Sequence, residues 1–237
     1  MHIHLRPRLA RAADMLCGSH TAADIGCDHA RLSIALLQQG IAQRIIASDI
    51  SAASVEKGRA LAALCGASGR ITFYVAPGLG ALNPGDTDSI AICGMGGLMI
   101  LDMLSHAEPI AKAARRIVMQ PQGNAGALRH YLYTHGYAVF DEAVVFDGGR
   151  YYQLLCARAG IARALPPGWP QGYYTIGPIA YEKREPNLAP MLRKYIAGHA
   201  KRLAAAQARG RAPDVLVREQ TAMLHILDLL EEPHESI

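Results

Sequence analysis

The chain has 237 residues, enough for one large domain or for an ordinary domain with a small appendage. Hydrophobic residues make up 51% and charged residues 19%, a balance that supports a packed core and excludes a disordered chain, while no apolar run reaches the ~20 residues of a membrane span and residues 1–6 lack the build of a secretory signal. The net charge of +4 permits an RNA partner without requiring one, and five cysteines, odd in number and without a CxxC pair, argue against a disulfide framework or zinc site and for a reducing, cytoplasmic setting.

In chain order, residues 5–16 read as an amphipathic helix and residues 21–26 as a short apolar strand that breaks at Gly26. A helix over 32–39 stops at Gly40, and a strand over 44–48 ends at Asp49. Ser51 or Ser54 caps the next helix, which runs to Cys65. Strands follow at 71–76 and 88–93, the second running into Gly94-Met95-Gly96-Gly97, then a helix at 98–104, a strand at 116–119 and a helix at 125–135. Residues 139–146 and 151–158 form a closing antiparallel pair turned by Asp147-Gly148-Gly149. Strict alternation of strand and helix demands crossovers and a mainly parallel sheet, here with an antiparallel edge: a Rossmann-like α/β fold, which alone does not decide function.

The composition changes near residue 160. A Pro- and Gly-rich linker at 165–172 precedes two helical runs, about 188–209 and 215–232, joined through 210–214 and expected to form an antiparallel hairpin. The chain is therefore read as a domain over 1–160 and a small helical domain over 161–237. Residues 158–218 hold eleven Lys and Arg against Glu182, Glu185 and Asp214, whereas residues 219–237 carry five acids and no Lys or Arg. The basic stretch suits a nucleic-acid backbone; it would equally serve as a solvated helix face.

Four motifs carry chemistry. In Asp24-Ile25-Gly26-Cys27-Asp28-His29-Ala30, a strand, a glycine turn and a helix form the seat of a nucleotide cofactor. Two acids at that turn disfavour a pyrophosphate and favour S-adenosylmethionine, whose ammonium and sulfonium are cationic. Asp49 ends the next strand, where an acid takes ribose hydroxyls or caps the following helix. Cys93-Gly94-Met95-Gly96-Gly97 sits at the carboxyl end of the fourth strand, where a turn needs one glycine and three leave room for a flat ring. No histidine lies near Cys93 in sequence to activate a thiol. Gln120-Pro121-Gln122 places two amides at a strand end, fit either to read a base edge or to be a polar loop.

Taken together, these segments resemble the bacterial tRNA (adenine-N1)-methyltransferases of the TrmK type, which modify adenine 22. The resemblance runs from about residue 5 to 205 and is carried by Pro7-Arg8-Leu9, the run from Asp24 to Leu32, Asp49, Cys93 to Gly97, Gln120-Pro121, Leu128-Arg129 with Gly136, and Ile176-Gly177-Pro178. It implies a class I methyltransferase domain, a C-terminal helical, coiled-coil-like tRNA-binding domain, S-adenosyl-L-methionine as cofactor, tRNA as partner and no metal. A monomer is expected. The cofactor set it implies is Arg8, Asp24, Gly26, Cys27, Asp28, Asp49, Ile50, Pro77, Gly78, Leu79, Cys93, Gly94 and Met95. Arg31, Gly96, Gly97, Gln120, Pro121 and Gln122 are expected to face the substrate, with Asp28, His29, Gly94 and Met95 at the reaction. The sequence departs from the family at Pro77, where the pattern has an aspartate near the cofactor adenine, leaving Asp86 or a backbone carbonyl to substitute; it departs also at Gln122 and at Gln153. Two other readings remain open: a small-molecule methyltransferase on the same fold, and a cofactor-binding RNA-binding protein without catalysis.

Overall fold

The computed structural model describes residues 1–170, 172–208 and 214–232. Helix α1 (Pro7–Met15) leads into β1 (Thr21–Ile25), α2 (Arg31–Gln38), β2 (Arg44–Asp49), α3 (Ala52–Leu64), β3 (Ile71–Val75), β4 (Ser89–Met95) and α4 (Gly97–His106). Then come α5 (Glu108–Ala113), β5 (Arg116–Pro121), α6 (Ala125–Thr134), β6 (Tyr137–Asp147) and β7 (Arg150–Ala159). The seven strands form one sheet in the order β3-β2-β1-β4-β5-β7-β6. Strands β1 to β5 pair in parallel; β7 runs antiparallel to both β5 and β6. The order reverses between β1 and β4, so a crevice opens at their carboxyl ends, where this class of fold binds ligands.

Side-chain alternation along the strands divides the core into two layers. Ala91 and Val118 face α1, α2 and α3, packing with Leu16, Ile34, Leu36 and Val55. Their strand neighbours Ile90, Ile92, Ile117 and Met119 face the other way, toward Ile100, Leu104, Leu128 and Leu132 of α4 and α6. The β6–β7 hairpin turns through Gly148 and Gly149 alone, both at positive φ, the signature of a two-residue turn whose twist matches the strands.

Beyond β7 the chain forms α7 (Pro178–Glu182), α8 (Leu188–Gln207) and α9 (Asp214–Glu231). Except for Asp214, the expected turn between the last two helices lies outside the described residues. Arg193 pairs with Glu231 and His199 with Glu219, partners that descend in number as the first ascends, so α8 and α9 run antiparallel as expected. A third apolar cluster joins Trp169, Ile176, Leu188, Met191, Leu192, Met223 and Ile226 to Val144 on β6. Arg129 of α6 and Glu142 of β6, each 1% exposed, form a buried ion pair at 2.6 Å beneath this junction. Arg129 also donates to the Tyr174 carbonyl and to Gln153 Oε1, and Glu142 Oε2 accepts the N–H groups of Ile179 and Ala180. With their remaining hydrogen-bonding capacity met in this way, the two charges hold α7 against the sheet. No helix among the described residues is long and apolar enough to cross a membrane.

Candidate active site

Strand β1 delivers Asp24 to the bottom of the crevice, 4% exposed. Ser33, a polar residue within the apolar run of α2, donates its N–H (3.2 Å) and hydroxyl (2.6 Å) to Asp24 Oδ2. Burial pushes the Asp24 carboxyl up to about 6, against the pull of those two bonds, and Asp49 adds a small further push. Past β1 the backbone folds over β2, Gly26 and Cys27 donating their N–H groups to the Ser48 carbonyl at 2.8 and 3.0 Å. Gly26 has φ +71°, and a Cβ there would stand 2.0 Å from Met95 Cε, so the Met95 side chain rests on a surface that only glycine leaves open.

Asp28 and Ala30 also lie in the left-handed region, at φ 47° and 54°. Such backbone conformations are costly for residues with a Cβ and gather at functional sites. Here the conformation lets Asp28 donate its N–H to Asp49 Oδ2 at 3.1 Å, while Asp49 Oδ1 accepts from Ser51 N–H at 2.9 Å. The cap of α3 is Ser51, whose hydroxyl accepts from Ser54 N–H at 3.2 Å, so Asp49 does not cap the helix, and its carboxylate has lone pairs left for hydroxyl donors. The Asp28 side chain is 73% exposed, with His29 Nε2 3.5 Å away. Asp24, Gly26, Asp28, His29, Arg31 and Cys93 share a cleft of about 120 Å³ with Arg8 and Leu9.

Strand β4 runs farther than expected, to Met95, with its register against β5 shifting across Gly94. Gly97 N–H donates to the Gly123 carbonyl at 2.9 Å, and a Cβ on Gly97 would stand 2.6 Å from the carbonyl oxygens of Gly123 and Asn124. Gly97 is therefore a packing contact that fixes α4 against the loop after β5, while Gly94 and Gly96 are exposed at the surface. Cys93 and Cys27 have thiols pushed up to about 12, chiefly by burial and secondarily by Asp24, so neither is a thiolate at neutral pH.

Gln120 departs from its expected place. Strand β5 continues through Pro121 and buries Gln120 completely, its Oε1 accepting from Arg8 Nη1 at 2.7 Å and its Nε2 donating to the Pro121 carbonyl at 3.0 Å. With both ends of the amide occupied it orients Arg8 instead of reading a base edge. Asp147 (3.8 Å) and the Tyr152 ring (5.8 Å) hold the same guanidinium. Gln122 is exposed and anchored by its backbone N–H to the Met95 carbonyl at 2.7 Å. Around the rim, Ile50 is 76% exposed, Pro77 and Gly78 form the turn after β3, and the Leu79 side chain faces the core, 2% exposed. Asp86 accepts from Asn83 N–H and Nδ2 within its own turn, a local use in place of the expected substitution for the acid absent at position 77. Arg31 donates to the His4 carbonyl. Ser33 and Tyr152 were missed from sequence; for Ser33 the signal was a hydroxyl amid five apolar neighbours.

The chain is 30% identical over 158 residues, 67% of its length, to the tRNA (adenine(22)-N(1))-methyltransferase of Bacillus subtilis, and the match spans 66% of that protein, just under two thirds. Among solved structures, Streptococcus pneumoniae Sp1610 in complex with S-adenosyl-L-methionine is 25% identical with a TM-score of 0.81, covering 93% of this chain and 98% of that one. The Bacillus subtilis M1A22 tRNA methyltransferase TrmK shares the fold with a TM-score of 0.80 at 23% identity, covering 97% of this chain and 98% of that one. The methyltransferase domain model matches residues 5–155, well over half of the chain and including Asp24, Asp28, Asp49 and Gly94, and the chain belongs to that family.

Proposed function

We propose that this protein transfers a methyl group from S-adenosylmethionine to N1 of an adenine in tRNA, position 22 being the expected nucleotide. The observation that carries the cofactor is the triad of acids Asp24, Asp28 and Asp49 around the Gly26 turn: one buried, one presented to the cleft, one at the ribose position of the neighbouring strand. That donor set fits a cationic, phosphate-free nucleoside and opposes a pyrophosphate. Kinship with the Bacillus subtilis enzyme supports the substrate.

When bound, the cofactor would supply an electrophilic sulfonium methyl; the adenine N1 lone pair would attack that carbon as its bond to sulfur breaks, the electron pair leaving with the neutral thioether, so no enzyme nucleophile is needed. The chain's own work is positioning and charge. Asp24 and Arg8, each fixed by hydrogen bonds within the protein, shape the floor and wall of the cleft. A base methylated at N1 becomes cationic, and the exposed Asp28 carboxylate beside His29 is placed to stabilise that charge or take a proton from the N6 amino group. Residues 161–237 act as the RNA-binding domain, and the protein works as a cytoplasmic monomer.

The test is transfer of labelled methyl from S-adenosylmethionine to unmodified bacterial tRNA, followed by nucleoside analysis. The expected product is 1-methyladenosine. Binding of both cofactor and tRNA without any methylated nucleoside would overturn the catalytic reading.

A further inference from the structure

We infer that a tyrosine-lined cavity beside the cofactor cleft is the compartment that holds the RNA strand, with the extruded base and its neighbour stacked on the rings; this rests on the tRNA reading above. The cavity measures about 600 Å³ and lies between the loop after β5, the start of β7 and the segment before α7. Tyr151, Tyr152, Tyr173, Tyr174 and Tyr195 line it. Several of the rings are already held by the protein. Tyr174 is flanked by His130 and Tyr133 at centroid distances of 5.2 and 5.3 Å, and Tyr151 by Phe146 at 4.9 Å. A preset ring costs little further ordering when a base stacks on it, and every base has a π-face.

Gly94 stands between a wall residue of this cavity and a wall residue of the cofactor cleft. A Cβ at Gly94 would lie 3.7 Å from Arg8 Nη1, in the wall of the cleft, and 3.9 Å from Gln122 Nε2, in the wall of the cavity. Walls of both spaces thus come within ordinary contact distance of one position, which puts a base edge held beside Gln122 next to the cleft. Gln122 lines the cavity and is exposed, which puts the donor and acceptor of its amide within reach of that edge. Gln153 differs: it lines the same cavity but is committed to Arg129 and the Thr175 carbonyl.

The space continues outward. A second hollow of about 480 Å³ shares Tyr173 and Tyr195 with the first and is bordered by Lys194 and Arg202 of α8. Lys194 Nζ also stands 5.7 Å from the Tyr151 ring centroid. Rings near the cleft and cations farther out match a strand whose bases stack inward and whose phosphates lie along α8. Glu219 in the shared wall is paired with His199 at 2.7 Å.

The test combines binding and turnover. Ultraviolet cross-linking of unmodified tRNA to the wild-type chain, mapped by mass spectrometry, is expected to mark Tyr151, Tyr174 or Tyr195. Tyr174→Ala and Tyr151→Ala should each raise KM for tRNA roughly 5- to 150-fold, leave cofactor affinity unchanged, and be rescued by Tyr→Phe, which keeps the ring. Cross-links confined to other surfaces, or alanine variants with wild-type KM, would overturn the inference even if 1-methyladenosine is formed. Cross-links at these tyrosines with no methyl transfer would instead sink the catalytic reading and leave the compartment standing. Wild-type protein that binds no tRNA would overturn both.

Discussion

Replacing Asp24 by Asn separates the demands of folding from those of the site. The carboxyl is raised from 3.8 to about 6, chiefly because burial penalises its charge. Between those values the folded chain holds a proton that the unfolded chain has released, so this group's contribution to stability falls as pH rises from about 4 to 6 and stays low above that. A shift of about two pH units corresponds to roughly 3 kcal/mol at pH 7. Asparagine carries no charge, and its carbonyl can accept both bonds from Ser33. Asp24→Asn should therefore match the wild type near pH 4 and exceed it by up to roughly 3 kcal/mol at pH 7, about 6–12 °C in melting temperature for a chain of this size. The same change removes a carboxylate from the cleft, so calorimetric titration should show cofactor binding weakened by roughly tenfold or more, as loss of a charged contact implies. Urea unfolding of both proteins at pH 4, 5, 6 and 7 gives the stability gap directly. A gap that does not grow with pH, or an Asn variant less stable at pH 7, would refute the argument that Asp24 is held ionised at the expense of the fold.

Other perturbations follow from the same geometry. Asp28→Ala should keep cofactor affinity within about tenfold, because the group is exposed and makes no buried contact, yet remove most turnover in the methyl-transfer assay. Arg129→Ala strands Glu142 in the core and should cost roughly 3–5 kcal/mol in denaturant unfolding. Gly97→Ala drives a Cβ against two backbone carbonyls at 2.6 Å; a loss of about 1–3 kcal/mol is expected by thermal melting, with lower kcat from displacement of α4. Gln120→Leu is similar in size but removes one of the three contacts that hold Arg8, and should weaken cofactor binding by up to roughly tenfold, measured calorimetrically, with little effect on the fold.

Periodicity made the alternating architecture legible, because each strand and helix must show an apolar face to the sheet whatever its partner is. Two short helices escaped it. In α5 Ala111 is the one buried residue, so six residues carry no stripe to read. Helix α7 has five residues, and its free N–H groups are satisfied by Glu142, 37 and 38 residues away. The glycine turn and its acids were legible because the chemistry sits within one local run, from Asp24 to Asp28. Gln120 was not. An amide beside a proline reads as an exposed loop, and nothing within the strand says that it will be buried. Its burial is tolerable only because Arg8, 112 residues earlier, supplies the donor. The same reasoning covers the tail. Its excess of positive charge reads as one basic face, but Arg163, Lys183 and Arg193 are paired with Glu182, Asp141 and Glu231. Lys194 and Arg202 line the hollow beside the tyrosines instead. A local sequence states which residues are polar; whether a polar residue faces water, a ligand or a distant partner is decided by the fold. Gln120, Arg129 and Glu142, whose polar atoms are taken up by partners distant in sequence, therefore become interpretable only once the strands are placed in order.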